Sequence, residues 1–184
     1  MSEQITLDKH IDRILIDPTA IQERIAELGQ EISKDYHGQE LVIVCILKGA
    51  FLFTSDLCRK ITLPQKLDFM AVSSYGHSTQ SSGIVKIEKD LSESIEGKHV
   101  LIVEDIIDSG LTMSYLVKIL GDRKPASIKI CVLCHKPSNQ QQGIKIDYCG
   151  FKLEDEFVVG YGLDFRGYLR NLPYIGVVKP EYAE

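Results

Sequence analysis

The residues with the most evident chemistry lie between Glu104 and Thr112, in the segment Glu-Asp-Ile-Ile-Asp-Ser-Gly-Leu-Thr. Its first two carboxylates directly follow the apolar residues 100–103, and a third stands at Asp108. Residues 108–112 add a glycine, two hydroxyl groups and, at the start of a helix, free backbone N–H groups that can bind phosphate. Carboxylates do not bind phosphate, but they accept hydrogen bonds from a ribose diol and bind Mg²⁺. The segment therefore predicts a phosphate cradle next to groups suited to a sugar or a cation.

Helix capping is the competing interpretation of these carboxylates, because acidic residues are common near helix starts. Capping explains one or two of them, but not a glutamate that abuts the apolar run with an aspartate beside it. Two better-known phosphate motifs do not fit. Residues 162–167 have the glycine spacing of a P-loop, but Tyr168 and Leu169 follow where Lys and Ser or Thr are required. Residues 160–162 lack the third glycine of the dinucleotide-binding fingerprint. The sequence therefore indicates neither a P-loop enzyme nor a dinucleotide-binding enzyme.

The chain that must position these groups alternates helical and strand-like segments. Asp17 and Pro18 are typical of a helix start, and Ile21, Ile25, Leu28 and Ile32 then recur at helical spacing. Uninterrupted apolar runs indicate strands that are buried on both faces. We expect such strands at residues 41–47, 100–103 and 128–133, shorter strands at 67–73, 84–89, 157–159 and 175–178, and further helices at 50–60 and 113–120. This alternation predicts an α/β fold with a parallel sheet covered by helices on both faces.

Size and charge narrow the classes of function. A chain of 184 residues is one ordinary domain, which buries roughly 70% of the surface of its unfolded form. The net charge of -5 argues against nucleic-acid and anionic-membrane partners, which need an excess of Lys and Arg. No apolar run approaches the roughly 20 residues of a membrane span, and the N-terminus lacks the pattern of a secretory signal. Together with five cysteines, an odd number, these features predict reduced thiols and a cytoplasmic location.

Residues 100–112 resemble the phosphoribosyl-pyrophosphate signature of the type I phosphoribosyltransferases: an apolar run, an acidic pair, two apolar residues, then Asp-Ser/Thr-Gly-x-Thr. That signature identifies the donor of the ribose but not its acceptor. Three further segments narrow the resemblance, namely Leu47-Lys48-Gly49, Lys136 after the third buried strand, and residues 157–165. In this order they resemble the hypoxanthine (guanine) phosphoribosyltransferases over nearly the whole chain.

The resemblance implies the type I phosphoribosyltransferase fold in a single domain over residues 1–184. The core would lie roughly at residues 37–140, and segments from both termini would form a small hood. The implied reaction joins hypoxanthine, and also guanine, to ribose 5-phosphate, which gives IMP or GMP and releases pyrophosphate. Mg²⁺ is the implied cofactor. The family is commonly dimeric or tetrameric, so a homo-oligomer is expected, with the 6-oxopurine and phosphoribosyl pyrophosphate as small-molecule partners.

The resemblance also assigns roles on the donor side of the site. Asp108 would act as the general base, or proton holder, near N7 of the purine. Glu104 and Asp105 would bind the ribose hydroxyls and a Mg²⁺, while Asp164 would bind a second Mg²⁺ on the pyrophosphate. The family pattern further implies that the Leu47–Lys48 peptide can be cis. The remaining contacts to the phosphate groups would come from Lys48, Gly49, Ser109, Gly110, Leu111, Thr112 and Arg170.

On the purine side, Lys136 would read the 6-carbonyl, because an ammonium group only donates hydrogen bonds and therefore mismatches the 6-amino group of adenine. Phe157 would stack on the ring, the main chain of Val158 would read its edge, and Asp164 would lie beside it. Without the other motifs, a lone lysine is more often a solvated charge, and a phenylalanine that opens an apolar strand is usually core. The Ser- and Gly-rich residues 74–83 are expected to be a lid, with Ser74-Tyr75 as its family pair.

Two other functions fit part of the pattern. A non-catalytic regulator that senses phosphoribosyl pyrophosphate and binds nucleic acid would need a basic face, which this acidic chain lacks. A related transferase could act on xanthine or on a pyrimidine. Lys136 with Phe157 and Val158 disfavours the pyrimidine, but the sequence does not rank xanthine against hypoxanthine and guanine. Arg166, next to the candidate metal ligand, has no assigned role.

Overall fold

A six-stranded sheet forms the centre of the molecule, as seen in a computed structural model that describes residues 9–74, 85–139 and 144–182. Its strand order is β4-β3-β2-β5-β6-β7, and every neighbouring pair is parallel except β3 and β4. The strands are β2 (Leu41–Leu47), β3 (Gln65–Ser74), β4 (Val85–Lys89), β5 (His99–Ile107), β6 (Ser127–His135) and β7 (Tyr148–Lys152). The parallel order confirms the predicted α/β class.

Helices cover both faces of this sheet. Buried residues of α1 (Pro18–Asp35) and α2 (Phe51–Lys60) pack with Ile43 and Leu101 in one core cluster. Buried residues of α3 (Leu111–Gly121) pack with Val44 and Ile102 in a second cluster. Neighbouring residues of β2 and β5 thus enter different cores, which is why these strands need continuous apolar sequence.

The start of α1 follows the sequence prediction. The Asp17 carboxylate accepts hydrogen bonds from the backbone N–H groups of Thr19 and Ala20, at 2.9 and 3.1 Å, and Pro18 occupies the first turn. These bonds satisfy two donors that have no partner inside the helix. The predicted capping of this helix is therefore confirmed.

A second, three-stranded sheet is built from the two ends of the chain. Strand β1 (Ile11–Ile16) pairs antiparallel with β9 (Ile175–Val178), and β9 pairs antiparallel with β8 (Val158–Val159). A small core of Val159, Leu169, Leu172 and Val178 lies under it. Short 3₁₀ helices follow β6 at Pro137–Asn139 and β9 at Pro180–Tyr182.

Several predicted boundaries were wrong. Strands β1 and β7 were not predicted, and β5 runs to Ile107 instead of ending at Val103, because its ladder with β6 continues through Glu104 and Ile106. Helix α3 begins two residues earlier than expected, at Leu111. All five cysteines are free thiols. Within the described ranges, no helix is long and apolar enough to cross a membrane.

Candidate active site

The predicted phosphate cradle lies at the carboxyl end of β5, where the chain turns into α3. Gly110 is the N-cap residue of α3 and has a left-handed backbone with φ of 79°, which glycine adopts without steric cost. No side chain caps this helix start, because the cap residue has none and the nearest contact is a long one of 3.5 Å from the Leu111 N–H to Ser109 Oγ. The start of α3 lies against a cavity, the cradle cavity, lined by Glu104, Ile106, Ile107, Asp108, Ser109, Gly110, Thr112 and Met113.

A second cavity, the Lys136 cavity, adjoins the cradle cavity. Ile106 and Asp108 line both cavities, so the Asp108 carboxylate stands where the two meet. Capping does not account for this aspartate, since Gly110 occupies the cap position of α3. The lining of the Lys136 cavity consists of Asp105, Ile106, Asp108, Lys136, Phe157, Val158, Leu163 and Asp164.

The acidic pair is divided between the two cavities. Glu104 and Asp105 are neighbours on β5, so their side chains point to opposite faces of the strand. Glu104 lines the cradle cavity and Asp105 lines the Lys136 cavity. Burial, together with the charge of Asp105, raises the pKa of Glu104 well above its usual range. Donors or a cation bound at this pair would relieve that cost.

The carboxylates of this site fit Mg²⁺ only when oxygen ligands from a substrate are added. In the parts of the chain that the structure describes, no group of three or more His, Cys, Asp or Glu side chains converges on a metal position. Mg²⁺ is commonly held by one or two carboxylates, with water and substrate phosphates completing its octahedron. Glu104 and Asp105 have the chemistry of such a partial site.

The Lys48-Gly49 turn packs directly against Asp105. A Cβ atom on Gly49 would lie 1.5 Å from Oδ2 of Asp105, and one on Gly162 would lie 2.0 Å from the Gly49 carbonyl oxygen. A side chain at Gly49 would force the Asp105 carboxylate to move, and one at Gly162 would collide with backbone. Lys48 is exposed, and the Leu47–Lys48 peptide bond is cis, as the resemblance implied.

Lys136 and Phe157 both line the Lys136 cavity. The Lys136 side chain is 9% exposed and its Nζ lies 3.4 Å from Oδ1 of Asp155, so this lysine is not a solvated charge. Phe157 is 44% exposed and meets Phe165 edge to face at 6.0 Å between ring centroids, so it is not a core residue. Val158, next to it, is buried.

Asp164 and Arg170 are joined to each other at the edge of this cavity. Arg170 Nη2 lies 2.6 Å from Asp164 Oδ1, and Arg170 Nη1 donates to the Gly162 carbonyl at 2.7 Å. The other carboxylate oxygen of Asp164 accepts from the Gly167 N–H at 2.7 Å. Arg166 places its guanidinium over the ring of Phe165, 5.1 Å from the centroid. Arg170 thus reaches the cavity through Asp164.

Of the predicted Ser74-Tyr75 pair of the lid, only Ser74 lies within the described residues. Ser74 is the last residue of β3, whereas Tyr75 and the rest of the predicted lid lie outside the described residues. Sequence reasoning assigned no role to Asp155, whose carboxylate contacts Lys136, or to Tyr161 and Asp56, which hydrogen-bond to each other. Tyr161 carried a signal, a bulky residue between two glycines, while Asp56 and Asp155 carried none.

Comparison with known proteins agrees with these features. Residues 11–166 match the phosphoribosyl transferase domain family. The chain is 52% identical over 177 residues to a hypoxanthine-guanine phosphoribosyltransferase of Bacillus subtilis, covering 96% of this chain and 98% of the relative. It is 50% identical over 180 residues to the bifunctional protein TilS/HprT of Listeria innocua, but spans only 28% of that protein's length. A crystal structure of a hypoxanthine phosphoribosyltransferase from Staphylococcus aureus superposes with a TM-score of 0.94 at 44% identity, covering 100% of both chains.

Proposed function

Because this chain belongs to the phosphoribosyltransferase family, we propose that it transfers ribose 5-phosphate from phosphoribosyl pyrophosphate to a 6-oxopurine. The observation that carries the proposal is the shared position of Asp108, which lines both the cradle cavity and the Lys136 cavity. A phosphorylated ribose in the first cavity and a purine in the second would meet beside this carboxylate. The bond that forms in the reaction joins these two groups.

Asp108 is suited to the proton transfer of this reaction. The bond from C1 of the ribose to pyrophosphate breaks, the bond from C1 to a purine nitrogen forms, and the purine loses one proton. Asp108 is exposed in the cavity and accepts that proton at N7, as a general base must. The neighbouring carboxylates of Glu104 and Asp105 favour the positive charge that develops on the ribose ring.

The phosphate groups are proposed to lie on two backbone segments. The N–H groups and hydroxyls of residues 109–112 bind the 5-phosphate at the start of α3. The Lys48-Gly49 turn and Arg170 bind pyrophosphate, and Asp164 lies beside them. Glu104 and Asp105 would hold Mg²⁺ with oxygens of the donor, and Asp164 would hold a second ion. Mg²⁺ held there would supply neutralisation of the charge on pyrophosphate.

Lys136, Phe157 and Val158 are proposed to recognise the base. The Lys136 ammonium donates to the 6-carbonyl, the exposed ring of Phe157 stacks on the purine, and the main chain of Val158 reads its edge. Hypoxanthine and guanine share the 6-carbonyl, and adenine carries an amino group there. The predicted products are therefore IMP and GMP.

The same proposal covers the hood, the lid, the cellular location and the oligomeric state. The sheet of β1, β9 and β8 serves as the hood over the purine within a single domain, and the segment that begins at Ser74-Tyr75 closes as a lid. The protein works in the cytoplasm as a homodimer or homotetramer on small-molecule substrates.

The test is to incubate the protein with Mg²⁺, phosphoribosyl pyrophosphate and one of hypoxanthine, guanine, xanthine or adenine, and to measure nucleotide formation. Product from hypoxanthine and guanine, little from xanthine and none from adenine is expected. No product from any base would refute the proposal, and binding of phosphoribosyl pyrophosphate without product would favour a regulator.

The Asp108→Asn variant tests the assigned base. It should lower kcat about 100-fold or more, because general acid–base groups contribute rate factors of about that size. Asp122→Asn, at the opposite end of α3 and exposed, is the matched control. Equal activity of the two variants would reduce Asp108 to a structural residue.

A further inference from the structure

We propose that Asp155 is a positioning residue that aims the Lys136 ammonium into the purine cavity and sets the preference among 6-oxopurines. This inference rests on the proposed function, but it concerns a residue outside the signature segments. Asp155 lies in the loop of residues 153–157, which joins β7 of the large sheet to β8 of the small one. The loop thus connects the two parts of the molecule that supply the walls of the Lys136 cavity.

One carboxylate oxygen of Asp155 contacts two side chains. Oδ1 lies 3.4 Å from Lys136 Nζ and accepts a hydrogen bond from Asn139 Nδ2 at 2.9 Å. Asn139 belongs to the 3₁₀ helix that directly follows Lys136, and its N–H lies 3.3 Å from the Lys136 carbonyl oxygen. The Asn139 hydrogen bond and the Lys136 charge also lower the pKa of Asp155. The carboxylate is therefore anchored beside Lys136 while its own side chain is 64% exposed.

Backbone hydrogen bonds hold the loop at this place. The Leu153 N–H donates to the His135 carbonyl at 2.8 Å, at the end of β6 and immediately before Lys136. Two residues after Asp155, the carbonyl of Phe157 accepts from the Val178 N–H of β9 at 3.0 Å. Asp155 therefore lies between two fixed points, and both adjoin residues of the purine wall.

The contact matters because a free lysine side chain has many rotamers. Ordering such a side chain costs binding free energy, and a partner that orders it beforehand reduces that cost. The ammonium has three N–H donors, so one directed to Asp155 leaves two for the cavity. Asp155 thus keeps the donor of Lys136 in place before the purine arrives.

The charge of Asp155 has a second consequence. It offsets the positive charge of Lys136, and so reduces the attraction of the cavity for an anionic base. Xanthine carries a second carbonyl and ionises to an anion more readily than hypoxanthine. Asp155 should therefore disfavour xanthine, in addition to favouring hypoxanthine and guanine through the position of Lys136.

The test compares Asp155→Asn with Glu154→Gln, which removes the same charge from the exposed neighbouring side chain of the loop. In Asp155→Asn, the KM for hypoxanthine should rise about two- to fivefold, the worth of one largely exposed ion pair. The KM for phosphoribosyl pyrophosphate should stay unchanged, and the ratio of kcat/KM for hypoxanthine to that for xanthine should fall. Glu154→Gln should change none of these, and Asp155→Glu should restore most of the purine affinity.

Three outcomes would overturn the inference: an unchanged KM for hypoxanthine, an equal rise in KM for both substrates, or an equal effect of Glu154→Gln. If Asp155→Asn does not fold, Asn139→Ala takes its place. It removes the second partner of the same carboxylate oxygen and should change the KM for hypoxanthine in the same direction. A wild-type protein without activity would refute the proposed function itself, whereas an active wild type with an unaffected variant would refute only the role of Asp155.

Discussion

Replacement of Tyr161 by Phe should destabilise the protein by about 2 kcal/mol, because it removes one buried hydrogen bond to a charged group. Tyr161 is 6% exposed, and its hydroxyl donates to the Asp56 carboxylate of α2. It stands between Gly160 and Gly162, and all three residues have positive φ, at 97°, 48° and 102°. Such a backbone is uncommon for a bulky residue, so surrounding contacts must hold it.

The magnitude follows from what the variant leaves in place. The phenyl ring still fills the same space, so no cavity forms. Asp56 keeps a hydrogen bond from Gln22 Nε2 at 2.8 Å and an ion pair with Arg59. The variant loses one charge-assisted hydrogen bond, worth about 1.5–3 kcal/mol, and a long contact of 3.4 Å from Gln22 Nε2 to the hydroxyl. For a chain of this length, a loss of about 2 kcal/mol lowers Tm by about 4–8 °C.

Calorimetry of Tyr161→Phe and of Tyr168→Phe provides the assay. Tyr168 lies in the same segment and is 60% exposed, so its variant removes the same hydroxyl without a buried partner. Equal Tm values for the two variants would refute the reasoning. The KM for phosphoribosyl pyrophosphate should also rise in Tyr161→Phe alone, because Gly162 of this turn packs against the carbonyl of Gly49.

The stability difference between wild type and Tyr161→Phe should also depend on pH. Burial alone would raise the pKa of Asp56, but the hydrogen bonds from Tyr161, Gln22 and Arg59 outweigh it and lower that pKa. A lowered carboxyl pKa contributes stability above its unfolded value of about 3.9, and that stability is lost as the pH falls through the folded value. The stability difference between wild type and Tyr161→Phe should therefore shrink below about pH 4. A constant difference down to pH 2 would contradict the role of the ionised Asp56.

Two other predictions concern stability. Gly162→Ala places a Cβ atom 2.0 Å from the Gly49 carbonyl oxygen, at a φ of 102°. Urea denaturation should therefore show that the free energy of unfolding falls by at least about 2 kcal/mol, or that the variant does not fold. A decrease of less than half that size would mean that the turn relaxes. Hydrogen bonds from Lys129 and from the Tyr148 hydroxyl lower the pKa of Asp35. Between about pH 5 and 3, the stability of Asp35→Asn should therefore fall less steeply than that of the wild type. Parallel curves of stability against pH would contradict that assignment.

The sequence predicted the strands whose environment is simplest. Strands β2, β5 and β6 lie between two layers of helices, so their apolar residues run without interruption. Strand β1 escaped prediction because it is only partly buried, alternates weakly, and pairs with β9 from the far end of the chain. Strand β7 contains Gly150, which sequence rules treat as a break. A Cβ atom there would lie 2.5 Å from the Leu133 carbonyl oxygen, so packing against β6 requires this glycine.

The site was predicted where a motif is continuous and missed where distant segments meet. Residues 104–112 form one stretch, and the structure brings most of them to one cavity. Asp155 and Asp56 act through contacts with residues 19 and 105 positions away, at Lys136 and Tyr161. Neither aspartate has an unusual neighbourhood in sequence, so only the folded chain reveals these contacts.

The unequal lengths of β2 and β5 explain why the site forms where it does. Chain order runs outward from β2 to β3 on one side and from β5 to β7 on the other, so β2 and β5 flank the point where the sheet changes direction. Ligands bind at this point in doubly wound sheets. The last pair between the two strands joins Cys45 to Val103, yet β5 continues along β6 to Ile107.

The extension of β5 beyond its last pair with β2 has two consequences. The continued strand keeps Glu104 and Asp105 on opposite faces, so one carboxylate serves each cavity. The space left beyond β2 is crossed by the Lys48-Gly49 turn, which approaches Asp105 so closely that a side chain at Gly49 would collide with it. Had β5 ended at Val103, as the sequence predicted, the ladder with β6 would not fix the positions of Glu104 and Asp105. The extra pairing with β6 therefore places the acidic pair where the two cavities adjoin.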